Sequence, residues 1–174
     1  MKIKESTFKA LRFLALCLVV MYLMFGYRYK VTYNLGESMH PTFKDGEWVY
    51  VQKRGNLPPH WTPAKFDIII VGADGDDLIK RVVGVAGDTI AIKHGKIILN
   101  GKTFKDQFAN QSITFWSEDE EERLKKPKGE WLFFNEDTQE ETIPKGSVWV
   151  IGDNRSLSWY GMVKIKNIKG LVIF

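Results

Sequence analysis

Only one cysteine, Cys17, occurs in the 174 residues, and it lies inside an apolar run near the N-terminus. The rest of the chain therefore has no disulfide, no thiol nucleophile and no cysteine-based metal site, and neither a metal nor a cofactor is expected. Proline is scarce at six residues and glycine stands at 15, without a Gly/Ser linker, a proline-rich tract or an internal repeat. Both read as turn formers rather than low complexity. An excess of basic charge is also missing from most of the chain. The first 30 residues hold six Lys/Arg against Glu5, which leaves 19 basic and 20 acidic side chains in the remainder, a net of −1. The sequence pI near 9.0 thus comes from the N-terminus, and the body has no basic face for nucleic acid. At 44% hydrophobic and 26% charged the chain is not disordered, and its length suits one folded domain.

The charge-free stretch is Phe13 to Tyr27, FLALCLVVMYLMFGY, with Lys9 and Arg12 before it and Arg28 and Lys30 after it. At ~1.5 Å per residue it covers roughly 22 Å of a ~30 Å hydrocarbon core, and extension back to Phe8 with a snorkelling Arg12 nearly reaches spanning length. A cleaved secretory signal would need a small-residue site, and Phe25-Gly26-Tyr27-Arg28 offers none. A core helix fits less well, with Leu, Val, Met and Phe on every face. Four basic residues before the run against two after it place the N-terminus in the cytoplasm and residues from about 31 outside. The expected organisation is a tail and single transmembrane anchor over residues 1–30 and an extracytoplasmic domain over 31–174.

In that domain, short β-branched or aromatic runs recur at 48–52, 67–71, 78–85, 89–93, 96–100 and 147–151. They read as strands, and His94-Gly95 and Asn100-Gly101 as tight turns of a meander over 89–105. The fold class is mainly β. The acidic start and basic end of SEDEEERLKK, 117–126, suit a helix. Composition changes from about 103 to 144, where acidic runs surround WLFF; this stretch reads as an insertion on the β core with a solvated acidic surface, or a docking face for a basic partner.

Chemistry has few places to sit. Ser38 lies two positions after Gly36 and precedes Met39-His40-Pro41, an extended or turn segment whose N–H groups are free to stabilise an oxyanion. A serine needs a base within hydrogen-bond reach. In an extended chain His40 would project on the same side as Ser38, but it has no evident carboxylate to orient it; His60 and His94 sit in loop or turn contexts. Lys80 interrupts the apolar strand Leu78-Ile79-Lys80-Arg81-Val82-Val83, and by alternation one of Lys80 and Arg81 must face the better-packed side. A buried lysine loses its charge more readily and can then accept the serine proton. The competing reading is a lysine that snorkels from a β surface.

Ser38-Met39-His40-Pro41-Thr42, then Lys80-Arg81-Val82-Val83-Gly84 with Gly87-Asp88, then Gly152-Asp153-Asn154-Arg155 with Ser158, resemble in this order the boxes of the type I signal peptidases, the S26 family of Ser/Lys serine proteases. The resemblance covers most of the chain outside the 103–144 region. It implies the family's mainly β fold behind one N-terminal transmembrane helix, with Ser38 as nucleophile, Lys80 as general base and Ser158 hydrogen-bonded to the lysine amine. It further implies an oxyanion hole formed by the Ser38 N–H, and Asp153 and Arg155 as structural supports. Gly36 stands where some members carry a hydroxyl. Trp159-Tyr160-Gly161-Met162 replaces the Asp and Arg that often follow the third box, which removes a supporting ion pair.

The implied activity is cleavage of signal peptides from exported preproteins by a membrane-anchored endopeptidase. Its partners would be preproteins with small residues at positions −1 and −3 and the lipid bilayer, with no nucleic acid. The rivals are a relative dedicated to a pilin or conjugation protein, a self-cleaving repressor, and a non-catalytic membrane-tethered assembly chaperone. The repressors carry an Ala-Gly site ahead of their serine, whereas Ala86-Gly87 follows Ser38 here. Retention of both Ser38 and Lys80 speaks against the chaperone.

Overall fold

The computed structural model describes residues 5–73, 76–105, 107–109, 137–155 and 157–173. It opens with one long helix, α1 (Glu5–Arg28). Its stretch Thr7–Arg28 is 22 residues long with a mean hydropathy of 2.0 and none of it buried, so it is long and apolar enough to cross a membrane. The chain passes from α1 into strand β1 (Tyr29–Tyr33) with no intervening residue. Two side chains take up carbonyls that the helix end leaves unpaired: Lys53 Nζ donates to Gly26 at 2.6 Å and Asn56 Nδ2 to Tyr27 at 3.0 Å.

The remainder is mainly β. Strands β2 (Trp48–Lys53), β3 (Ile68–Ala73), β4 (Asp76–Val85), β5 (Thr89–Lys93), β6 (Lys96–Leu99) and β9 (Ser147–Ile151) fall on the apolar runs of the sequence. The runs do not announce β7 (Lys102–Thr103), β8 (Glu141–Thr142), β10 (Tyr160–Lys164) or β11 (Ile168–Ile173), and β1 is hidden behind the anchor. One sheet has the order β1-β2-β11-β3-β4-β9-β10 and the other β7-β6-β5-β8, with antiparallel pairing throughout. The expected meander is present as β5, β6 and β7. His94-Gly95 and Asn100-Gly101 have φ of +50° and +69°, and +52° and +73°, which is the twist that two-residue hairpin turns require. The helix expected over 117–126 lies outside the described residues.

β4 ties the structure together. From Ile79 to Gly84 every residue is buried, because apolar clusters cover both faces of the strand. Ile79 joins Met39, Phe43, Val51 and Ile70; Val82 joins Ile69, Val148 and Val150; Val83 reaches the second sheet through Ile90, Ile97 and Ile143. At Gly84, next to an irregularity in the β4–β9 register, a Cβ would collide with Ile143. Glycine there lets the second sheet close onto the first. Gly84→Val is expected to lower stability by about 1–3 kcal/mol through overpacking, and Ile143→Ala is expected to return part of that loss; chemical denaturation of the two variants checks this.

Candidate active site

Of the extended and turn readings of the Ser38 segment, the turn is the one present. His40 N–H donates to Glu37 at 3.0 Å and Phe43 N–H to Met39 at 3.0 Å, so residues 37–43 coil into a turn. Met39 and Phe43 drive that turn onto the larger sheet, where both are buried among Val49, Val51, Ile68 and Ile79. The loop around it hangs on Asn34, a buried residue that the sequence reading passes over. Its side chain donates to the carbonyls of Gly36 at 2.9 Å and Lys44 at 3.1 Å, while its backbone bonds Gly46 and Glu47. His40 is turned outward and exposed. It makes no side-chain hydrogen bond to Ser38, and His60 and His94 are exposed as well. None of the three is placed to act on Ser38.

Lys80 is. Its Nζ lies 2.9 Å from Ser38 Oγ, across 42 positions of sequence, and the residue is 3% exposed. Burial pulls the amine down from 10.5 to about 8, against the opposing attraction of the Asp153 carboxylate. Alternation sends Arg81 to the opposite face from Lys80, and Arg81 is also 3% exposed, because both faces of β4 are covered. Its guanidinium grips buried Asp153 with Nε to Oδ1 at 2.8 Å and Nη2 to Oδ2 at 2.7 Å. The site therefore has a buried ion pair even though the third box lacks its usual Asp and Arg tail. Arg155 is buried in the same loop.

The third box touches Ser38 through its backbone. Asn154 N–H donates to the Ser38 carbonyl at 3.1 Å. A Cβ at Gly152 would collide with that carbonyl oxygen and with the Ser158 hydroxyl, so only glycine lets the two segments approach. Ser158 departs from expectation. Its Oγ accepts from Gly152 N–H at 2.7 Å and donates to the Trp159 carbonyl at 2.9 Å, and it makes no bond to Lys80. Its single hydroxyl proton is already committed to Trp159, and it braces the Gly152 backbone that abuts Ser38. The Ser38 N–H donates to none of the described residues. Among the described residues no group of three or more His, Cys, Asp or Glu is arranged to hold a metal ion.

The family model described as signal peptidase, peptidase S26, matches residues 7–174. The chain belongs to this family. A signal peptidase IB from Staphylococcus aureus is 32% identical over 156 residues, covering 80% of this chain and 73% of the relative. A signal peptidase I V from Bacillus subtilis is 33% identical over 144 residues, covering 79% of each. A solved signal peptidase I from Enterococcus faecalis is similar at 22% identity and a TM-score of 0.43, over 65% of this chain and 98% of its own. As a member of the S26 family, the chain is a serine endopeptidase, and signal-peptide cleavage is its activity. The rival readings gain no support from these relatives.

A buried lysine has a stability signature as well as a chemical one. Below about pH 8 the amine is protonated in both folded and unfolded chains, and the full penalty for enclosing a cation applies. Between about 8 and 10.5 the unfolded chain binds more protons, so stability rises with pH, and above 10.5 the penalty is gone. Lys80→Met is expected to stabilise the fold at neutral pH by up to about 3 kcal/mol, a gain that disappears at strongly alkaline pH. Denaturant midpoints of the two proteins across pH check it.

Proposed function

We propose that Ser38 and Lys80 carry out the peptide cleavage as a nucleophile–base dyad, on the outer face of a membrane that α1 spans. The observation that carries this reading is the 2.9 Å approach of a buried amine to the serine hydroxyl. The neutral amine takes the Ser38 proton as Oγ attacks the scissile carbonyl carbon. The oxyanion that forms is met by the Ser38 N–H. The Lys80 ammonium then passes its proton to the departing amine, leaving an acyl-enzyme. In the second half the neutral lysine deprotonates a water, which attacks the ester and releases Ser38. Asp153 and Arg155 support the site from the β9–β10 loop without touching the reacting atoms, and Ser158 acts through Gly152 rather than on the lysine.

The substrate is a preprotein whose signal peptide lies in the same bilayer, laid as an added strand along an open sheet edge. Tethering enzyme and substrate to one surface raises their effective concentration. Exposed Val31, Tyr33, Trp48 and Tyr50 on β1 and β2 continue the apolar surface of α1 onto the catalytic unit, which supports a membrane-proximal site. The basic flanks support a cytoplasmic N-terminus.

Ser38→Ala is expected to lose at least ~10³-fold in kcat without loss of fold, and Lys80→Arg to be inactive, because a guanidinium keeps its proton. Wild-type activity should rise with pH with a midpoint near 8, as the base becomes neutral. Preprotein cleavage assayed in micelles across pH decides these; an active Lys80→Arg would remove the lysine from the mechanism. For topology, protease added outside intact spheroplasts should digest the chain beyond about residue 31 and spare the first residues. Reversed protection would place the site in the cytoplasm.

A further inference from the structure

One face of α1 carries a groove that anchoring alone does not require. Two rows of exposed side chains spaced four apart border it, Leu16, Val20 and Met24 on one side and Cys17, Met21 and Phe25 on the other. Rows of this spacing are the ridges between which a second helix seats its own side chains. The rows end at Arg28 and Tyr29, which also line the groove. From Leu16 to Tyr29 it is roughly 20 Å long at ~1.5 Å per residue.

The end of the groove is fixed to the catalytic unit. α1 runs into β1 without an intervening residue, and the Phe25 and Tyr29 rings meet across the join at 4.9 Å. Lys53 and Asn56 hold the Gly26 and Tyr27 carbonyls there. A helix lying in the groove is thereby held at a set position relative to the larger sheet. β1, five residues long, leads from that end to the loop that carries Ser38, roughly 15 Å of extended chain at ~3.3 Å per residue.

The chemistry of the substrate identifies the occupant. A signal peptide carries an apolar run of about 7–15 residues, which as a helix is roughly 10–22 Å long, a range that includes the length of the groove. Such runs differ in sequence between preproteins, and Met21 and Met24 offer unbranched, polarizable side chains that repack against different partners. A second copy of α1 fits less well. Close helix pairs in lipid use small residues four apart, and from Leu16 to Tyr29 Gly26 is the only Gly, Ala, Ser or Thr.

We propose that this groove binds the apolar run of the signal peptide as a helix, so that the substrate is selected within the membrane and its cleavage segment leaves the groove toward Ser38. This rests on the reading of α1 as a membrane-spanning helix.

The test is cleavage by the full chain in vesicles of phosphatidylcholine and phosphatidylglycerol, with two substrates: a preprotein whose apolar run has about 12 residues, and a peptide holding its cleavage segment alone. Val20→Phe fills the groove, and Val19→Phe makes the same change outside it. Both keep the helix apolar. Val20→Phe should raise the ratio of the preprotein KM to the short-peptide KM about tenfold with kcat for the preprotein held, the mark of lost ground-state binding. Val19→Phe should leave that ratio as it is. An unmoved ratio in Val20→Phe, or the same rise in both variants, would overturn the proposal. A second measurement does not depend on turnover: a photo-crosslinking side chain at position 20 of the full chain should couple to the signal peptide, and the same group at position 19 should not. Coupling from position 20 to lipid only, or to a second copy of the chain, would overturn it. A chain that alkaline carbonate strips from the vesicles would overturn the membrane-spanning reading, and the proposal with it, a result distinct from a groove that stays in the membrane and binds nothing.

Discussion

The contact between a lysine amine sealed from water and a serine hydroxyl 2.9 Å away is what the surrounding structure is arranged to maintain. Enclosing the cation costs the fold stability at neutral pH, where the amine carries its charge in folded and unfolded chains alike. The same enclosure gives the amine a proton affinity useful near neutral pH. A more exposed lysine would fold more easily and act as a poorer base.

The two partners come from opposite kinds of structure, and each is held accordingly. Lys80 sits on β4, the strand that all three apolar clusters share, so its backbone cannot shift without disturbing both sheets. Ser38 sits on a turn, which is fixed by three independent devices: Met39 and Phe43 pressed into the sheet, Asn34 bonding the loop at both ends, and the Asn154 N–H on the serine carbonyl. The last of these brings the β9–β10 loop to Ser38, with Gly152 allowing the approach and Ser158 bracing it. Precise placement of a reacting atom on a loop needs such support, since the local backbone supplies little.

Much of this is legible in the sequence, in proportion to how local each signal is. Strands such as Ile68–Ala73 and Ser147–Ile151 are announced by uninterrupted β-branched runs. β10 begins with Tyr160-Gly161 and β11 contains Gly170, and these residues interrupt the pattern that would reveal them. Lys80 stands out because a charge breaks an apolar strand, but alternation misleads about Arg81: a strand buried on both faces has no outward side to assign. His40 would share a side with Ser38 only in an extended chain, and the turn at 37–43 removes that alternative. Asn34 gives no pattern at all, since its partners at Gly36 and Lys44 become neighbours only when the loop closes. Ser158 shows the limit of resemblance, because a matching position names the residue without saying which atoms it bonds.

To serve as the base, Lys80 must release its proton near neutral pH far more readily than an ordinary lysine. The most direct measurement is the titration of that one side chain by NMR, in the full chain labelled at lysine and held in micelles, with Lys80→Met used to assign the resonance. The account predicts a midpoint near 8. A midpoint at the ordinary lysine value of 10.5 would contradict it, because so little free amine would then exist near neutral pH that Lys80 could not serve as the base.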